Sequence, residues 1–113
     1  MRVALLSVLL LALPLAAADI SGKWTGTVEV PAGTFPVWVT LEQKGDEVGG
    51  SISAEGGVYS IQRGKLSGNT LTFEVYADQL YAVECTIENG SITGTVKPAQ
   101  GGKGRLAVKR SEN

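Results

Sequence analysis

From Gly22 to Arg110, apolar and polar residues alternate in short runs, and Gly, Asn, Pro or Asp closes each run before the next begins. Successive side chains of a strand point to opposite faces, so this period of two is the mark of half-buried β-strands. No stretch carries the 3.6-residue period of a helix. The pattern predicts strands near 22–30, 35–43, 48–55, 58–65, 70–76, 80–88, 91–97 and 104–110. The links are short. Asn89-Gly90 is the strongest hairpin signal, because both residues tolerate positive φ, and Lys44-Gly45-Asp46-Glu47, Gly56-Gly57 and Ser67-Gly68-Asn69 play the same part elsewhere. An all-β, eight-stranded up-and-down antiparallel meander is expected, closed into a barrel that leaves no exposed edge. A two-sheet sandwich is the structural alternative.

Alternation also assigns the faces. Trp24, Val28 and Val30 share one side of the first strand, while Lys23, Thr25, Thr27 and Glu29 share the other. The same test puts Phe35, Val37, Val39 and Leu41 inside, with Val48, Ile52, Ala54, Leu71, Phe73 and Val75. Tyr81, Val83, Cys85, Ile87, Ile92, Val96, Leu106 and Val108 complete the core set. Near 58–65 the pattern breaks, since Tyr59 and Ile61 suit the core but Arg63 follows on the same side; a bulge or an early end at Gly64 is expected. Glycines inside strands, at Gly26, Gly49, Gly50 and Gly94, suit barrel corners and bulges.

Residues 1–18 read as an address and not as part of the fold. Arg2 is a positive n-region, Val3 to Leu13 an apolar h-region, and Ala16-Ala17-Ala18 offers the small residues a signal peptidase needs. Val3 to Ala18 falls short of the roughly 18–20 residues that cross a hydrocarbon core, which favours a cleaved signal over a membrane anchor. The expected organisation is a signal peptide over 1–18 and one β-barrel domain over 19–113, secreted or periplasmic, with no membrane insertion after cleavage. The one cysteine, Cys85, lies far from the cleavage point, so neither a lipid anchor there nor an internal disulfide is expected.

Without Arg2, nine Lys and Arg stand against 11 Asp and Glu, a net charge of −2 with no basic stripe, which argues against a nucleic-acid partner. No histidine is present, so Ser-His-Asp and Cys-His catalysis and most transition-metal sites are excluded; no enzyme activity, cofactor or metal is expected. Glu29, Glu42, Glu55, Glu74, Glu84 and Glu88 fall mostly on the polar strand faces. Gly101-Gly102-Lys103-Gly104-Arg105 lacks the Lys-Ser/Thr ending and the following helix of a phosphate loop, and reads as a flexible hairpin loop. Asn89-Gly90-Ser91 fits a glycosylation acceptor, but turn chemistry accounts for it.

The mature chain opens on Gly22-Lys23-Trp24 and closes its last strand with Arg110. In a closed meander the first and last strands are antiparallel neighbours, so Trp24 and Arg110 meet at one barrel end. Arg110 shares the core parity of Leu106 and Val108, so its guanidinium can stack on the indole as a barrel-closing pair, worth on the order of 1 kcal/mol. This resembles the Gly-x-Trp start and C-terminal Arg of the lipocalin and wider calycin group. The likeness covers both ends and the strand plan, as in a minimal lipocalin-like barrel of the kind found among small bacterial secreted proteins. It implies a fold that opens at the other end.

There, strand direction gathers Phe35, Tyr59, Tyr76 and Tyr81 beside the loops 31–34, 55–57, 77–79 and 98–103. Aromatic walls with a few polar tips make a small-molecule pocket, and these four are the candidate ligand-binding residues. The same rings could instead fill a short barrel. Tyr76 has polar-face parity, which suits a rim or an outside position. Trp38 shares the outer face of its strand with Pro36, Thr40 and Glu42, which marks either a partner interface or a site covered by a neighbouring segment. The leading expectation is a non-enzymatic binding module for a small apolar or amphipathic ligand at the open end. The alternative is a protein-interaction or inhibitor module acting through its outer wall or loops.

Overall fold

The computed structural model of the chain describes residues 19–111, and the expected signal segment lies outside the described residues. Nine strands follow in order: β1 Gly22–Val30, β2 Gly33–Lys44, β3 Glu47–Ala54, β4 Gly57–Ser60, β5 Gln62–Ser67, β6 Thr70–Tyr76, β7 Leu80–Glu88, β8 Ser91–Pro98 and β9 Gly104–Arg110. Each pairs antiparallel with its sequence neighbour, except that β4 and β5 are two halves of one strand and both pair with β3. β9 returns to pair with β1, from Trp24↔Arg110 to Glu29↔Arg105, and the sheet closes. The fold is an eight-stranded up-and-down antiparallel barrel, not a sandwich.

Local chemistry explains the details. At the β7–β8 hairpin Asn89 and Gly90 both have positive φ, 42° and 82°, the condition of the tight turn that matches strand twist. The irregularity expected near 58–65 is a bulge at Arg63, whose φ is 53° and where the β5–β6 register shifts. The bulge turns the Arg63 side chain outward, onto Glu74 at 3.1 Å. Gly26 and Gly94 face inward where neighbouring strands coil closely. A Cβ at either position would run into the carbonyl oxygen of Ala107 or Glu84, so only glycine fits the curvature.

The inward residues form one core. Its most tightly buried large members are Trp24, Leu41, Leu71, Ile92 and Cys85, all in the half of the barrel that holds the β2–β3, β5–β6 and β7–β8 turns. Full burial of a side chain of this size contributes about 1.5–3 kcal/mol.

Candidate functional site

The two ends of the barrel are finished differently. At the closed end, residues 19–21 run across the opening ahead of β1 and place Ile20 in the core at 2% exposure. Ile20 donates its N–H to Gln43 Oε1 (3.0 Å), and its carbonyl accepts from Trp24 Nε1 (3.0 Å). Ser21 Oγ accepts from the Gln43 N–H at 2.9 Å. Arg110 lies over the Trp24 ring, 4.5 Å from guanidinium carbon to centroid. Its two terminal nitrogens donate to the carbonyls of Ser21 (2.9 Å) and Asp19 (3.0 Å). One side chain therefore holds both the indole and the segment that crosses beneath it. Asp19 Oδ1 accepts from the Ser21 N–H at 2.9 Å, and this bond, with a smaller pull from Arg110, holds its carboxyl below the usual aspartate value. The alternation pattern from Gly22 onward gave no sign of the crossing segment 19–21; its only trace was one isoleucine between Asp19 and Ser21.

The opposite end is hollow. A cavity of about 380 Å³ opens between the β1–β2, β3–β4, β6–β7 and β8–β9 loops. Its deepest lining is the buried set Val37, Val75, Val83, Val96 and Leu106, with Val28, Phe35, Ile52, Tyr59 and Tyr81 on the walls. Val30, Ala32, Ala54, Ala77, Glu55 and Asp78 stand nearest the loops. The volume falls within the range of small-molecule pockets. Inward positions towards the closed end carry Trp24, Leu41, Leu71, Phe73 and Ile92 beside Val39, Val48, Cys85 and Val108, and towards the open end Phe35, Ile52, Tyr59, Tyr81 and Leu106 beside six valines and Ala54. Residue size alone does not separate the two ends; the segment 19–21, with Ile20 buried against Trp24, fills one, and no described segment crosses the other.

Of the four aromatic candidates, Phe35, Tyr59 and Tyr81 line the cavity together. Tyr76 does not: it follows the outward parity of Glu74, pairs with Leu80 at the end of its hairpin, and is 58% exposed. Tyr81 donates its hydroxyl to Asp78 Oδ1 at 2.7 Å. That bond, and then partial burial, push the Tyr81 phenol up from its usual value, so it stays protonated and remains a donor at neutral pH. The Asp78 loop is braced against the neighbouring β8–β9 loop. Gln79 Oε1 accepts from the Gln100 N–H (2.8 Å), Gln79 Nε2 donates to the Gln100 carbonyl (3.1 Å), and the Ala99 N–H donates to the Leu80 carbonyl (2.9 Å). Neither Glu55 nor Asp78 was singled out from sequence as a lining residue.

Cys85 is buried in the closed half, and burial, with a smaller effect from Glu84, pushes its thiol up to about 12. A thiol so protonated is a packing group. Trp38, with 54% of its surface exposed, is not covered by any described segment. Across the outer wall it pairs with Ser53, which pairs in turn with Val58, itself exposed. Among the described residues no three Cys, Asp or Glu side chains gather as they would around a metal ion. No protein-family model, no curated protein and no solved structure matches the chain.

Proposed function

We propose that the protein is an exported, non-enzymatic, lipocalin-like binding module that carries a small apolar or amphipathic molecule in the open end of its barrel, in the periplasm or outside the cell. The observation that carries this reading is the apolar cavity of about 380 Å³, whose walls are held by the barrel and whose mouth is braced by the loops. Phe35, Tyr59 and Tyr81 supply flat contact area, and the tyrosine hydroxyls supply polar tips, the composition expected of a small-molecule site. Tyr76, on the outer wall, has no part in it. Native mass spectrometry on protein purified from the exported fraction tests the reading. An excess mass that vanishes on denaturation is the expected result. A clean apo mass, with no uptake of the neutral fluorophore N-phenyl-1-naphthylamine, would count against it.

A second reading rests on a separate observation. Trp38 and Val58 are both exposed on the same side of the outer wall, separated by Ser53 alone, which suits a protein-interaction or inhibitor module acting through that wall. Photo-crosslinking from position 38 in the exported fraction tests it. One defined adduct supports a partner there, and only diffuse labelling argues against one.

A further inference from the structure

We infer that the cavity selects an amphiphile with a cationic head, an alkyl or aryl body ending in an ammonium group, over a neutral or anionic one. This rests on the reading of the cavity as a ligand site and adds the chemistry of the ligand's polar end. The charged side chains that line the cavity are Glu55 and Asp78, and neither lysine nor arginine is among the lining residues. They stand in two loops, β3–β4 and β6–β7, so a head emerging at the mouth meets carboxylate from both. The other ionisable lining groups are Tyr59 and Tyr81. The Tyr81 hydroxyl is committed to Asp78 as a donor, and this bond holds the Asp78 carboxylate beside the cavity wall. Lys103, the one cation in the loops of the mouth, is exposed and is not among the lining residues. A fatty-acid carboxylate would meet like charge with no donor arginine or lysine to receive it. An ammonium would meet two opposite charges and phenol oxygen. The body of the ligand is bounded by the volume: at about 30 Å³ per water-sized group, the cavity holds roughly a dozen. Decyl chains are therefore suitable probes.

The test is displacement of N-phenyl-1-naphthylamine by decylammonium, decanol and decanoate at neutral pH and low ionic strength. Decylammonium should bind about fivefold more tightly than decanol, the scale of one partly exposed ion pair, and decanoate more weakly than either. In the double variant Glu55→Gln, Asp78→Asn, which keeps the hydrogen bond from Tyr81, the ammonium-to-alcohol ratio should fall to near one. A control double variant at the closed end, Glu42→Gln, Glu47→Gln, makes the same change in net charge and should keep the ratio. Decanol binding as tightly as decylammonium, or a ratio that survives the mouth variant or is lost equally in the control, would overturn the headgroup inference while leaving the cavity reading intact. If neither the fluorophore nor any decyl probe binds, the cavity reading itself falls, and this inference with it.

Discussion

The closed and open ends of this barrel are made by the same strands, in the same register and with the same inward–outward alternation, yet one is filled and the other is hollow. At the closed end, Trp24 and Ile20 occupy the axis and Arg110 ties the crossing segment to the indole. At the open end no described segment crosses the barrel, and a cavity of about 380 Å³ remains between the inward side chains. Alternation therefore decides whether a barrel forms, while the segment that crosses one end decides where it is solid. The tightest packing and the cavity lie at opposite ends of one sheet.

Two identical truncations provide the strongest test of that division. Leu71→Ala, in the filled half, should cost about 4 kcal/mol, because the removed atoms leave a void that packed neighbours cannot close. Leu106→Ala, beside the existing cavity, should cost about 2 kcal/mol, since its neighbours already face open space. Urea denaturation of the two variants measures the difference, and equal losses would break the comparison. Next in size is Arg110→Ala, which removes the stack on Trp24 and both carbonyl contacts. A loss of about 1–2 kcal/mol is expected, and Arg110→Lys should not restore it, because an ammonium lacks the planar fork that spans both carbonyls.

Filling the hollow end should change binding and leave the fold nearly untouched. Ala54→Phe puts a ring into the mouth of the cavity. It should abolish N-phenyl-1-naphthylamine binding while shifting stability by less than about 1 kcal/mol, as expected where a substitution enters free space and not a packed core. Cys85 reports the other end without mutation. Its thiol, raised to about 12 by burial, should resist a disulfide reagent in native protein at mildly alkaline pH and react as urea opens the closed half. Rapid labelling of native protein would contradict burial there.

The smallest effect belongs to Asp19, whose carboxyl is held below the ordinary 3.8 by its bond to the Ser21 N–H. A depressed carboxyl contributes stability above its unfolded value and loses it as pH falls through the folded one, so the contribution should fade only below about pH 4. Asp19→Asn should flatten the acid limb of the stability curve and leave the neutral region unchanged.

Much of the barrel was legible in the sequence. The period of two fixes which residues face inward, and the glycine and asparagine turns fix the order of pairing. Even the bulge announced itself through Arg63 at an inward position. The crossing segment of the closed end was not legible, because Ile20 precedes the first strand and belongs to no periodic run; its role depends on Gln43, which is distant in sequence. The hollow was half legible. Phe35, Tyr59 and Tyr81 were placed by strand direction, whereas the free volume depends on the combined sizes of residues from every strand, a property that no single strand displays. Glu55 and Asp78 sit in loops, where alternation assigns no face. Only the tertiary structure brings them into the lining.

The account's central claim is that ligand enters the open half and leaves the closed half undisturbed. The most direct measurement is a methyl-resolved NMR titration with decanol. Resonances of Val28, Val37, Val83, Val96 and Leu106 should shift and show contacts to the chain, while those of Val39, Leu41, Val48 and Leu71 stay where they are. Shifts confined to the outer wall around Val58, or no shifts at decanol's solubility limit, would contradict it.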